Sequence, residues 1–566
     1  MSDHTPSAAQ PYSVHAETHQ VLNQPSSLTP FNSWLSDSTL QYWVNRFGAE
    51  HSADLASYGN LCGGALAEAG FLANQYPPEF HSHDRFGNRI DEVRFHPAYH
   101  QLMQAAITFG LPSAPWVKPG KGAQVARAAL VYQHMQADAG SGCPLTMTYA
   151  AVPVLKQAPK GAADWLAKVL TAQYDPANKP YFAKAGLTVG MAMTEKQGGS
   201  DVRANTTRAM QLSEDEYELV GHKWFCSAPM CDGFLTLAQT DAGLSCFLLP
   251  RWRPDGSKNQ FYIQRLKHKL GNCSNASSEV EFRGAFAWRI GDEGRGVRTI
   301  IDMVALTRFD CMLGSAGLMR AALAQALHHT AGRSAFGKNL QQQALMQNVL
   351  ADLTLDSEAA LALSLRVAYA LDNQDVVSEQ QFVRLATAIG KYWICKRAPQ
   401  FCYEAMECLG GVGYVEENIL PRLYREAPVN AIWEGSGNIQ CLDVLRAMQK
   451  GPEALAACLS ELQSVTGRNN DYDAAFSRLQ QALQDSATLE YRARSIVDQL
   501  ALLLQASVLL QYGEATVADA FIRARLIPGI CSNYGTLPVE LDCVALLARA
   551  QPKVSQSAKS KYRGAG

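Results

Sequence analysis

What this sequence lacks narrows its chemistry before anything positive is read. It has fourteen cysteines but no C-x-x-C pair and no cysteine and histidine cluster at zinc spacing. That excludes a zinc-ribbon or thioredoxin-type centre and leaves buried thiols of a reducing compartment. A charge imbalance is missing too: the formal net charge is -2, so no global field draws the protein to nucleic acid or membrane, and any such partner must be met by a local patch. The longest apolar run, Leu500 to Leu510, is about half the length of a membrane span and is broken by Gln505. The opening stretch MSDHTPSAAQPYSVHAETHQ holds neither lysine nor arginine and no apolar core. It reads as a disordered leader, assigned to residues 1–33, and not as a secretory signal, which implies a cytoplasmic protein without a membrane partner. No internal repeat is visible.

What is present is punctuation. With roughly 150 residues per domain, 566 residues imply three or four units. Over 34–184 apolar residues recur at helical spacing (Leu61 to Leu72, Tyr99 to Phe109, Gln124 to Ala137, Trp165 to Ala172) between prolines. Over 185–293 the texture changes to short runs rich in β-formers, among them Leu187 to Val189, Tyr217 to Val220, Phe234 to Leu237, Leu244 to Leu249, Phe261 to Ile263 and Glu279 to Phe282. Helical periodicity returns over 294–448 and continues in a further helical unit, 449–550, before a basic tail, 551–566, with Lys553, Lys559, Lys561 and Arg563. The fold class is α+β, predominantly α, in the order helical, β, helical, helical.

The densest stretch is Phe401 to Arg446. An apolar helix is stopped by Gly410 and Gly411, Pro421 opens a new turn, and Ile432-Trp433-Glu434-Gly435-Ser436-Gly437-Asn438 leads into another helical pattern. A carboxylate after two large apolar side chains is desolvated, which raises its pKa and suits a general base, while amides at the following helix start suit an anion. The same residues also serve a plain loop with Glu434 as a capping acid. Two motifs in the β region carry comparable alternatives. Met191 to Asp201 is a strand end and polar glycine loop, fit for the edge of a ring or for a hairpin turn. Lys223 to Ser227 is an aromatic strand, fit to wall a planar cofactor or to pack a sheet. Arg333-Ser334-Ala335-Phe336-Gly337 with Gln343 offers a phosphate fork or a solvated helix end.

Taken together, the segments Ala192-Met193-Thr194-Glu195-x-x-Gly198-Gly199-Ser200-Asp201, Lys-Trp-Phe-x-Ser, Arg-x-x-Phe-Gly, Leu-Gly-Gly-x-Gly-Tyr and Glu434-Gly435 resemble the acyl-CoA dehydrogenase superfamily over roughly residues 40 to 446. MTEKQGGSDV, LVGHKW, KLGNCSNAS, TRFDC, PRLYRE and IWEGSGNI resemble its AidB branch, bacterial flavoproteins of the adaptive response to DNA alkylation, and extend the match through the added helices. The resemblance implies an N-terminal helical domain, a middle β domain, a four-helix bundle and an extra C-terminal domain, with FAD as cofactor. Met191, Met193, Thr194, Gly198, Gly199, Ser200, Phe225, Cys226 and Ser227 would hold the isoalloxazine, with Ser227 beside N5. Arg333, Phe336, Gln343, Gly410 and Gly411 would bind pyrophosphate and adenine, partly across a homotetramer interface, and Trp433, Gly435, Ser436, Gly437 and Asn438 would close the site.

The implied reaction is α,β-dehydrogenation of an acyl thioester, Glu434 taking the α-proton while the β-hydrogen leaves as hydride to the flavin. Arg308 is the candidate substrate contact. Some members place the base just before that arginine, where this chain has Thr307; many carry an acid three residues before it, where this chain has Ala305. That departure weakens the expected grip on CoA. The branch also implies sequence-independent binding of double-stranded DNA that limits alkylation damage, with at most weak dehydrogenase activity. Residues 447–566 hold twelve basic and eleven acidic side chains, so only arrangement could make a basic surface, with Arg446, Arg523 and Arg525 as candidates. Two other readings are an ordinary acyl-CoA dehydrogenase of branched or short acyl-CoA metabolism, and a DNA-shielding protein in which FAD is structural.

Overall fold

A computed structural model describes residues 18–48, 52–528 and 533–553. Two hydrophobic cores organise them. The smaller core sits in the β region. Strands Gly233–Thr240, Arg208–Gln211, Glu216–Ser227, Ser277–Ile290 and Gly243–Pro250 follow one another, and Gly243–Pro250 pairs back on Gly233–Thr240 to close the ring. Val189–Ala192 adds a parallel strand beside Gly233–Thr240, and Phe261–Leu266 pairs with Ser277–Ile290. Alternation sends Phe234, Phe247, Phe282 and Trp288 inward, where the helix Gly142–Leu155 joins the same core.

The larger core is helical. Three long helices, Gly296–Gly332, Ala344–Asp372 and Val377–Glu407, form its centre, and the first N-terminal helices pack on one side of them. The C-terminal helices Pro452–Gln463, Asn470–Gln484, Ala493–Tyr512, Ala515–Arg525 and Cys543–Ala550 share that core. Ala493–Tyr512, long and apolar enough to cross a membrane, is a packed helix with Leu500, Leu503, Leu504 and Leu509 buried.

Two sequence expectations change. The leader is docked from Asn23 onward: Leu28 and Ser33 are buried and the Phe31 amide donates to Gly63 O at 3.0 Å, because an apolar side chain and backbone donors find partners on the first helices. Residues 1–17 lie outside the described residues. The N-terminal helical region contains a hairpin, Glu79–His83 with Arg89–Arg94, closed at Asp84, whose Oδ1 accepts from the amides of Phe86 and Asn88. In the basic tail, Lys559, Lys561 and Arg563 lie outside the described residues.

Candidate functional site

The helix Leu420–Asn430 ends in a turn and the next helix begins at Gly437, so Trp433 to Ser436 must reverse the chain within a few residues. The reversal is made at Glu434 and Gly435, with φ of 58° and 100°. A left-handed residue that is not glycine costs about 1 kcal/mol or more, so the neighbours must over-determine it. Three side chains do. The Lys391 ammonium donates to Trp433 O at 2.9 Å and to Gly435 O at 2.5 Å. Arg308 Nε donates to Glu434 O at 2.9 Å while its Nη2 pairs with Asp443 at 2.7 Å. Gln440 Nε2 donates to the carbonyls of Glu434 and Gly435, both at 3.0 Å. The Glu434 carboxylate accepts one bond, from the Thr307 hydroxyl at 2.9 Å. Burial pushes its pKa above the usual carboxylate value, opposed in part by Thr307, Arg308 and Lys391.

The β region brings a second set of groups. The loop after Val189–Ala192 is held from beneath by Glu195, wholly buried and paired with Lys223 at 2.9 Å. Trp224 N donates to Thr194 O at 2.8 Å, tying that loop to the strand Glu216–Ser227. Lys196 to Ser200 are exposed, and a Cβ on Gly199 would stand 2.4 Å from Thr194 Oγ1, so only glycine lets the loop close there. Met191, Met193 and Thr194 are half-buried and Phe225 is half-exposed, an open apolar wall beside polar amides. Ser227 Oγ lies 3.2 Å from Ser277 Oγ, which accepts from Lys269 Nζ at 3.1 Å. The two halves meet at Cys143: its thiol lies near Ser227 and Asn275 and feels the charge of Glu434. A cavity of about 410 Å³ opens behind the end of this strand, lined among others by Tyr99, His100, Met103, Pro144, Met230 and Cys231.

Cys226 is a correction. Strand alternation turns its side chain into the β core, where it is fully buried, so it offers no side-chain contact to a cofactor. Arg308 is another: its guanidinium is spent on Glu434 O and Asp443, so it holds the loop instead of facing a substrate.

The remaining candidates are dispersed over the helical region. Phe336 is fully exposed at the tip of a small hairpin, Ser334–Ala335 with Lys338–Asn339, and Arg333 donates to Asn23 O and Gln24 Oε1. Gln343 Nε2 donates to Ala335 O at 3.0 Å and braces that hairpin. A Cβ on Gly410 or Gly411 would meet nothing within 4 Å, which leaves backbone open to an approaching group. Ser436 and Gly437 start the helix Gly437–Lys450, and Asn438 Oδ1 accepts from Arg494 of the C-terminal helices at 2.8 Å.

The arginines expected to meet DNA each lie beside an acid of this chain. Arg525 pairs with Asp352 and Asp356 and is largely buried, Arg523 pairs with Glu540, and Arg446 pairs with Asp443. Arg525 is thereby withdrawn from the surface, whereas Arg523 and Arg446 stay part-exposed and the acid beside Arg446 is shared with Arg308.

Comparison with known proteins gives the family. Residues 23–176 match the adaptive response protein AidB N-terminal domain, 190–285 the acyl-CoA dehydrogenase middle domain and 294–449 the acyl-CoA dehydrogenase C-terminal domain. AidB of Escherichia coli (strain K12) is 48% identical over 91% of this chain and 95% of its own length. The chain belongs to the acyl-CoA dehydrogenase family, in its AidB branch. Acyl-CoA dehydrogenase family member 11 of Caenorhabditis elegans is 31% identical, over 77% of this chain and 73% of its own length. The crystal structure of Caenorhabditis elegans ACDH-11 in complex with C11-CoA superposes with a TM-score of 0.84 at 27% identity, covering 94% of this chain and 97% of that one.

Membership makes the protein a flavin-dependent oxidoreductase with FAD as its cofactor. The residues present fit that group: an exposed glycine loop, a half-exposed Phe225, a serine hydroxyl at the strand end and unobstructed backbone at Gly410 and Gly411. When bound, FAD supplies an acceptor for a hydride. Motif reading missed Lys391, Gln440 and Asp443. The signal available was weak, a lysine and a glutamine inside otherwise apolar helical patterns, and no spacing rule links them to residue 434.

Proposed function

We propose that the protein oxidises an acyl thioester at its α,β bond, with Glu434 as the general base. The observation that carries this is the state of Glu434: a desolvated carboxylate with one hydrogen bond, on a left-handed backbone fixed by Lys391, Arg308 and Gln440. A base needs a raised pKa and a free lone pair, and this carboxylate has both. In the step itself Glu434 Oε takes the α-proton as the β-hydrogen leaves with its electron pair, so no free carbanion accumulates. Thr307 steers the carboxylate, while Met191, Met193, Thr194, Phe225 and Ser227 would line the cofactor and keep water from it. The acyl-CoA bound by the C. elegans relative supports the substrate class. Exposed apolar side chains at Phe336 and Tyr414 support assembly as a homotetramer, to be read by sedimentation.

Anaerobic mixing of the holoenzyme with a panel of acyl-CoAs tests this: the flavin absorbance should bleach with at least one. No bleaching with any of them overturns the reading.

A second reading adds double-stranded DNA as partner and protection against alkylation. It rests on kinship with AidB and on one observation: Arg468, in the loop before the helix Asn470–Gln484, and Arg478 on that helix are exposed and donate to Leu510 O and Leu526 O, and among the described residues neither pairs with an acid, which leaves their charge available for phosphate. A duplex shift assay at two salt concentrations should weaken in Arg468→Gln with Arg478→Gln. Binding that ignores both salt and these substitutions removes the DNA half.

A further inference from the structure

Lys391 is a buried cation without an acid. It sits in the helix Val377–Glu407 with no exposed surface, and among the described residues it forms no ion pair. Burying an ammonium costs several kcal/mol unless its charge is met. Two carbonyl dipoles meet it here, and they belong to the residues on either side of Glu434. A lysine kept for packing would be replaceable by methionine, and one kept for an ion pair would have a carboxylate, as Lys223 does. Lys391 has neither reason to be there except the loop.

We propose that Lys391 is the positioning residue of the general base, pinning the carbonyls of Trp433 and Gly435 so that the backbone of Glu434 stays left-handed and its carboxylate stays on Thr307. This rests on the reading of Glu434 as the base. The lysine also has an electrostatic consequence, because its charge opposes the rise that burial imposes on the carboxylate. The groups facing Glu434 are Thr307, Arg308 and Cys311 on the helix Gly296–Gly332, Lys391 on Val377–Glu407, Cys143 at the start of Gly142–Leu155 and, behind Arg308, Asp443 on Gly437–Lys450. Lys391 and Arg308 are the cations among them, and Arg308 is shared with Asp443. Loss of Lys391 therefore moves the ionisation of Glu434 to higher pH. The working base is the ionised form, so the acid limb of the pH profile moves with it.

The test is a pH titration of the holoenzyme, wild type against Lys391→Met, read twice: as the rate of anaerobic bleaching by an acyl-CoA, and as the absorption band of the oxidised flavin without substrate. Glu434→Gln fixes which transition belongs to Glu434. In Lys391→Met the rate should fall about 100-fold and both midpoints should rise. Gln440→Leu removes two donors from the same loop but no charge, so it should slow bleaching with the midpoint in place. Should the methionine variant fail to fold, Lys391→Gln keeps one donor without the charge and carries the same expected rise. A midpoint unmoved in either lysine variant, with FAD bound, overturns the proposal. A transition that survives in Glu434→Gln is a different failure: it removes Glu434 as base and takes this inference down with it.

Discussion

Glu195 and Glu434 are both glutamates in loops between regular elements, the first wholly buried and the second half-buried, and their environments push them in opposite directions. Glu195 accepts from Lys223 Nζ, from the amides and hydroxyls of Thr206 and Thr207, and from Gln197. Burial alone would raise its pKa, but the Lys223 ammonium and these donors carry it well below the usual carboxylate range. Glu434 has one hydroxyl donor, and burial wins. The number of donors on the carboxylate, more than burial, separates an anchor from a base. In Glu195 the cation is spent on the carboxylate; at Glu434 it is spent on the backbone, which leaves the oxygens reactive.

The largest test of this contrast is Glu434→Gln, which should lower acyl-CoA-driven bleaching by about 1,000-fold or more while FAD stays bound, as read by stopped-flow absorbance and flavin content. Full activity in that variant would end the contrast. Lys223→Met strands the Glu195 charge in the interior, so it should cost about 3–5 kcal/mol in urea unfolding and release FAD as the glycine loop loosens. A variant as stable as the wild type would mean that Glu195 is not an anchor. Glu426 offers a sharper case, a buried carboxylate with the single amide of Asn272 for a donor. Burial and the charge of Asp138 push it up to about 7 despite Arg422 and Lys269. The folded state then holds a proton that the unfolded state has lost, so this group's contribution to stability falls as pH rises from its ordinary value of 4.5 to about 7. Glu426→Gln should flatten that segment of the stability curve; an unchanged slope in denaturant titrations between pH 4.5 and about 7 would sink the assignment. The smallest effect belongs to Thr307→Val. Removing the one donor raises the Glu434 pKa further, so the acid limb of bleaching should shift upward with a rate loss below about tenfold.

Much of the fold could be read along the chain. The β region announced itself through short β-branched and aromatic runs, and six of those runs fall in or against observed strands. Arg208–Gln211 escaped because Arg-Ala-Met-Gln has no β signature and is held as a strand by pairing with Glu216–Ser227. The hairpin at Glu79–Arg94 escaped for a related reason, since Glu-Phe-His-Ser-His carries no clean alternation. The C-terminal helices were read correctly as helices, but not their docking. Arg525, read as surface, is drawn inward by two aspartates on the helix Ala344–Asp372, more than 160 positions earlier.

The order of helical, β and helical segments, the glycine loops and the position of one unusually flanked acid were determined by the sequence alone, because periodicity and turn chemistry act between near neighbours. Which arginines are free, which lysine is spent on carbonyls and which of several buried glutamates is left with a single donor were decided only by the tertiary structure. Those outcomes depend on donors that arrive from elements far apart in the chain, Thr307 and Lys391 for Glu434, Lys223 for Glu195 and Asn272 for Glu426. A carboxylate's chemistry is set by the sum of those distant contacts, and no local pattern encodes that sum.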